Sequence, residues 1–139
     1  MCIRDSSQLS LPEMKIGMIP GSGGSARLAK MIGISRTKNI IMRGKRLSGE
    51  EAFQLGIACE VVEKSELENM TKKIVKELLG VSPLAQRTIK SVLNATQNAT
   101  LHTSIDLEGE AYGRLRSSND FKEGVISFSE KRPPSYKGN

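Results

Sequence analysis

Four times in this chain a helix-starting signal stands directly ahead of apolar residues at helical spacing, and this repetition restricts the fold more than any other feature of the sequence. Ser48 with Glu51, Ser65 with Glu68 and Asp120 with Glu123 have capping-box spacing, in which a side-chain oxygen and a carboxylate three residues on satisfy N–H groups of the first turn. Ser82-Pro83 is the fourth, because proline is preorganised for the first helical position. Leu67, Met70, Ile74 and Leu78 form one stripe that Gly80 ends, and Leu84, Ile89, Val92 and Leu93 form the next. Leu101, Ile105, Glu108, Tyr112 and Leu115 share a further face, and Val125, Ile126 and Phe128 belong to a last helix ahead of Pro133-Pro134. Earlier, one helix is expected from near Ser25 to Gly33, another from about Ser35 to Met42, and a short third from Ser48 to Gly56. Ile57 to Val62 is the strand candidate, and Leu9 to Ile19 reads as a loop too irregular for a helix. The tail from Ser135 to Asn139 reads as irregular, lying on a surface or against a neighbouring subunit.

With 139 residues, 37% of them hydrophobic and only 4% aromatic, the expectation is one helix-rich domain with an aliphatic core. No apolar run approaches the roughly 18 residues of a membrane span, and Met1-Cys2-Ile3-Arg4-Asp5-Ser6-Ser7 lacks a signal-peptide stretch, so the chain reads as soluble and unsecreted. The net charge of +6 suggests an anionic partner, but no basic stretch is interleaved with aromatics, which argues against nucleic acid. Cys2 and Cys59 have neither metal nor redox spacing; Cys59, set in Gly56-Ile57-Ala58-Cys59-Glu60-Val61-Val62, is expected to be a buried thiol.

Glu13 is the one carboxylate in an apolar, proline-fixed setting, Leu11-Pro12-Glu13-Met14, where it suits either proton transfer or a loop surface. Gly21-Ser22-Gly23-Gly24 could offer N–H groups to an anion at a helix start, yet it matches neither the dinucleotide fingerprint nor the P-loop, and a tight turn explains it as well. Glu50, Glu51, Glu66 and Glu68 fall in first turns, where capping accounts for them. His102 is the only histidine and reads as a solvated helix residue. Tyr112, Phe128 and Lys131 together fit an adenine stacked on rings beside a phosphate partner, or plain packing with a solvated lysine.

Taken together, Leu11-Pro12-Glu13-Met14-Lys15-Ile16-Gly17-Met18-Ile19-Pro20-Gly21-Ser22-Gly23-Gly24 resembles the signature stretch of the enoyl-CoA hydratase/isomerase (crotonase) family. Arg43-Gly44-Lys45-Arg46-Leu47-Ser48-Gly49-Glu50-Glu51-Ala52, and Asp120-Phe121-Lys122-Glu123-Gly124 through Arg132-Pro133, resemble its later segments in the same order. The resemblance covers residues 9–139, leaves 1–8 as a poorly matching stretch, and implies the C-terminal half of a family member. It implies a mainly α fold with a few short strands: the end of a ββα spiral core over residues 9–64, then a helical CoA-contacting and oligomerisation region over 65–139.

The resemblance further implies that Glu13 exchanges a proton with the carbon chain of an acyl-CoA thioester, and that Tyr112, Phe128 and Lys131 contact the CoA adenine, partly across a subunit boundary. The second glutamate and the oxyanion-hole N–H donors would fall ahead of Met1, so the chain by itself is expected to be inactive. Gly21 and Ser22 stand where some relatives carry an additional catalytic aspartate, which counts against dienoyl-isomerase and dehalogenase chemistry; syn-hydration of a trans-2-enoyl-CoA is the leading expectation, with double-bond isomerisation and decarboxylation as alternatives. No cofactor beyond the substrate's own coenzyme A, no metal, no nucleic acid and no membrane are implied. The family's assemblies are homotrimers or dimers of trimers in the cytoplasm, or in the mitochondrial matrix of a eukaryote. The alternative outside enzymology is a non-catalytic oligomerisation module.

Overall fold

A computed structural model describes residues 1–139 and divides them into two units, Met1–Lys73 and Ile74–Asn139. The first carries four three-residue strands and the first helices. Strand β1 (Cys2–Arg4) pairs in parallel with β4 (Glu60–Val62), and β2 (Gln8–Ser10) pairs antiparallel with β3 (Arg46–Ser48). Between them α1 (Gly24–Ile32) and α2 (Ile34–Ile41) meet at Gly33, whose φ of +84° belongs to the left-handed side of backbone space that glycine enters without penalty. The aliphatic core expected from composition is here: Ile32, Ile40 and Leu47 are buried together, with Leu28, Leu55 and Ile57 packed around them.

The Ser48–Glu51 box forms as read. The Glu51 N–H donates to Ser48 Oγ at 3.1 Å, and the Ser48 N–H donates to the Glu51 carboxylate at 2.8 Å, opening α3 (Gly49–Gln54). Gly49 is required there by a close approach, since its N–H donates to the Asp5 carbonyl at 3.2 Å and a Cβ would run into the Arg4 carbonyl oxygen. Three expectations for this unit need correction. Leu9–Ile19 is not all loop: it contains the end of β2 and a 3₁₀ turn over Glu13–Ile16. The strand foreseen over Ile57–Val62 begins only at Glu60, because the Ile57 and Ala58 N–H groups donate to the Ala52 carbonyl and finish the α3 turn instead. Cys59 consequently falls on that turn and is exposed, not buried. Residues 1–8, read as least like the family, supply β1 and the first residue of β2.

Helix α4 (Leu67–Leu79) follows a 3₁₀ turn at Lys64–Glu66, so Ser65 lies within that turn and not at the helix cap expected for it. The C-terminal unit then holds α5 (Pro83–Thr96), α6 (Leu101–Arg116) and α7 (Asn119–Ser129). Each begins at a hydroxyl that accepts an N–H three residues on: Ser82 from Ala85 at 3.1 Å, Thr100 from Thr103 at 3.2 Å, Ser118 from Phe121 at 3.0 Å. Ser118, and not Asp120, is therefore the cap of α7.

That displacement frees Asp120 for another task. Its side chain is only 4% exposed and accepts from the Ser82 hydroxyl at 2.6 Å, the Lys137 N–H at 2.9 Å and the Gly138 N–H at 3.0 Å. Its own N–H donates to the Asn139 carbonyl at 3.0 Å. One turn on, Glu123 takes two hydrogen bonds from Arg132, at 2.6 and 3.0 Å, and one from the Ser135 N–H at 2.7 Å. The tail is thus folded back along α7 by two carboxylates, and the surface it lies on belongs to its own unit.

Two outcomes follow from these contacts. Gly49→Ala should lower unfolding stability by about 1–3 kcal/mol, the usual range for an overpacked site, read from urea denaturation. The Arg132 hydrogen bonds, and then that of Ser135, hold the Glu123 carboxyl down to about 2 from an ordinary 4.5, and the Ser82 hydroxyl acts on Asp120 in the same direction. A carboxylate depressed by folding contributes stability that is complete above its unfolded value and lost as pH falls toward the folded one. The thermal midpoint should therefore fall as pH goes from 4.5 to about 2, and Glu123→Gln should flatten the part of that fall due to Glu123 while leaving the Asp120 part.

Candidate functional site

The Glu13 side chain is placed by a very local device. Pro12 precedes it, and the Lys15 N–H returns to the Pro12 carbonyl at 2.9 Å, closing the 3₁₀ turn. Gly17 ends the turn at φ +76°, which lets the Met18 N–H reach back to the Glu13 carbonyl at 3.0 Å. The carboxylate is half-buried, and its Oε2 is enclosed without any hydrogen-bond partner. Enclosed carboxylate oxygens in folded proteins are nearly always partnered, so this one calls for an explanation, and a role in moving a proton is one. Met14, Ile16, Met18 and Ile19 around it are all exposed, giving this edge an apolar lip.

The glycine loop that follows is a helix entry. Gly23 at φ +80° caps α1 without a side-chain hydrogen bond, and Arg27 turns back to donate to the Ser22 carbonyl at 2.9 Å. Arg27 crowds the loop from its own side, so the tight-turn reading suffices for Gly21–Gly24.

In the C-terminal unit, Tyr112 and Phe128 come together as walls of one cavity of about 520 Å³. They are 61% and 87% exposed, which is unusual for aromatic side chains with a packing role. Leu115, Phe121, Val125 and Tyr136 supply further apolar wall, and the Arg116 guanidinium sits 5.9 Å from the centre of the Tyr112 ring. Asp120 and Ser82 are the polar groups at the bottom of this wall, already hydrogen-bonded to one another. Lys131 does not line the cavity. It follows α7 with φ +54°, and its N–H donates to the Phe128 carbonyl at 3.2 Å, so the backbone between Phe128 and Lys131 is set as one turn.

Tyr136 was missed by sequence reasoning, which treated the tail as irregular. Its hydroxyl lies over Gly124, where a Cβ would come within 3.3 Å, and the signal that could have found it is the Gly124 gap on α7 combined with two acidic residues freed by the Ser118 cap. His102 is solvent-exposed on α6 and approaches Asp106 one turn on at 3.6 Å.

The enoyl-CoA hydratase/isomerase family model matches residues 1–139. The short-chain-enoyl-CoA hydratase of Clostridium acetobutylicum is 32% identical over 127 residues, which is 91% of this chain and 49% of that protein. The mitochondrial methylglutaconyl-CoA hydratase of Mus musculus is 34% identical over 137 residues, covering 96% of this chain and 44% of the relative. The crystal structure of enoyl-CoA hydratase from Bacillus anthracis superposes with a TM-score of 0.96 at 35% identity over 99% of this chain and 54% of that one. The chain thus spans about half the length of the relatives it matches, and the mainly helical fold with few short strands is that of the crotonase-type hydratases.

Proposed function

The chain belongs to the enoyl-CoA hydratase/isomerase family, and from that premise we propose that it is the C-terminal part of an enzyme that adds water to a trans-2-enoyl-CoA. The observation that carries the reading is the enclosed, unpartnered Oε2 of Glu13 on its proline-fixed turn. Hydration of an enoyl thioester puts the water oxygen on C3 and a proton on C2, with charge accumulating on the thioester oxygen in between. A carboxyl group aimed at the chain from a rigid turn supplies the C2 proton, and a second carboxylate takes the proton that water releases. The accumulating charge needs N–H donors, and this reading assigns them to the part of the relatives' length that residues 1–139 do not span.

In this reading the C-terminal cavity serves the adenine end of an acyl-CoA, partly one held by a neighbouring subunit. Tyr112 and Phe128 offer ring faces to the adenine, and Lys131, one turn beyond Phe128, offers a cation to a phosphate. The uncovered apolar residues of α4 to α7, among them Leu79, Leu101 and Ile105, favour a homo-oligomer in which a neighbouring subunit covers them, as homotrimer or dimer of trimers.

The test is a chimaera that joins residues 1–139 to the N-terminal half of the Bacillus anthracis hydratase. It should consume crotonyl-CoA, followed by loss of the conjugated thioester absorbance, while the 139-residue polypeptide by itself should not. Glu13→Gln in the chimaera should lower kcat by about 10²- to 10⁴-fold, the share general acid–base catalysis carries, with KM little changed. Phe128→Ala should raise KM with little effect on kcat. Full turnover by the Glu13→Gln chimaera would remove Glu13 from the mechanism, and full turnover by the isolated chain would overturn the assignment of the N–H donors to a segment outside residues 1–139.

A further inference from the structure

A second hollow of the C-terminal unit, about 380 Å³, shares no residue with the aromatic cavity, and three of its six wall residues are cations. Arg87 and Lys90 come from one face of α5, and Lys137 comes from the tail, with Pro83, Gln86 and Gly138 completing the wall. No carboxylate lines it. The cations are brought together by other bonds. Lys137 is placed by its own N–H on Asp120, and Arg87 donates to the Gly138 carbonyl at 3.3 Å.

The acidic groups nearest in the chain are already engaged. Asp120 is taken up by Ser82 and two N–H groups, and Glu123 by Arg132 and Ser135, although it still feels the Lys137 charge. The ammonium groups of Lys90 and Lys137 have no hydrogen-bond or ion-pair partner, and the Gln86 amide is committed to the Leu78 carbonyl. Holding like charges around one hollow with no counter-charge in it is unfavourable, and a multiply charged oxyanion relieves it. A tetrahedral anion also suits a forked guanidinium beside two point charges, since each oxygen can meet a different donor.

We propose that the hollow formed by Arg87, Lys90 and Lys137 binds a phosphate group. The assignment is independent of the acyl-CoA reading, because no residue placed in that reading lines this hollow. The experiment titrates the intact 139-residue chain with inorganic phosphate and, in a parallel arm, with adenosine 3′,5′-bisphosphate, following amide shifts by NMR. Saturable shifts confined to residues 83–90 and 137–138 are expected. Lys90→Gln and Lys137→Gln should each weaken binding about fivefold, the effect of one exposed charge pair, with the far-ultraviolet circular dichroism of these surface variants unchanged. With affinity read only from the shifts of residues 83–90 and 137–138, bisphosphate binding at least about tenfold tighter identifies a nucleotide-borne phosphate, a smaller difference identifies free phosphate, and bisphosphate shifts confined to the aromatic cavity overturn the nucleotide-borne source. Shifts that rise without saturation and spread over the basic surface, or saturable binding indifferent to both variants, would overturn the assignment.

Discussion

The Asp120 carboxylate is the interaction on which the C-terminal unit depends. It joins the hydroxyl that starts α5, the first turn of α7 and two successive N–H groups of the tail, and it does so from a buried position. Successive backbone N–H groups curled around an anion form a strong local site for negative charge, and here the anion is part of the protein. Replacing the carboxylate by anything that cannot accept three hydrogen bonds would leave buried donors unmatched, which costs more than the bonds themselves contribute. Tyr136, Arg87 and Lys137 all owe their positions to this one group or to the tail it holds.

The two units solve the problem of order differently. Residues 1–73 enclose a small aliphatic cluster and pair short strands, while Glu13 sits on a turn held by its own backbone hydrogen bonds. Residues 74–139 bury hardly any large side chain, and their helices rely on hydroxyl caps and carboxylate bonds instead. Apolar surface left uncovered on a helical unit is where partner surfaces or extended ligands attach, and both uses suit the substrate class of the family.

Much of this was legible in the residues. Helix positions followed from apolar period and capping spacing, whereas the residues alone left Glu13, Tyr112, Phe128 and Lys131 with ordinary readings, and only the family resemblance singled them out. Of the short strands only β4 was legible, inside the Ile57–Val62 stretch: three residues are too few to show alternation, and β1 meets β4 only across almost the whole first unit. Asp120 and Glu123 were misread because their spacing imitates a capping box, and only the neighbouring Ser118 decides which oxygen takes the cap. Cys59 was misplaced for a similar reason, since an apolar sequence around a thiol does not reveal that the local chain is finishing a turn. The Arg87, Lys90 and Lys137 grouping is invisible in sequence because Lys137 arrives with the folded-back tail.

The parallel pairing of β1 with β4 has a kinetic side. Cys2 lies opposite Glu60, so these bonds form only after the chain between them has been drawn into a closed loop. Helix-to-helix contacts such as those of α5 with α6 join residues near in sequence and need no such closure. Local contacts assemble fast and distant ones slowly. The capped helices are therefore the early structure of this chain, and the strand pair that frames the first unit is the late one, completed after the local turns and helices have taken up their shapes.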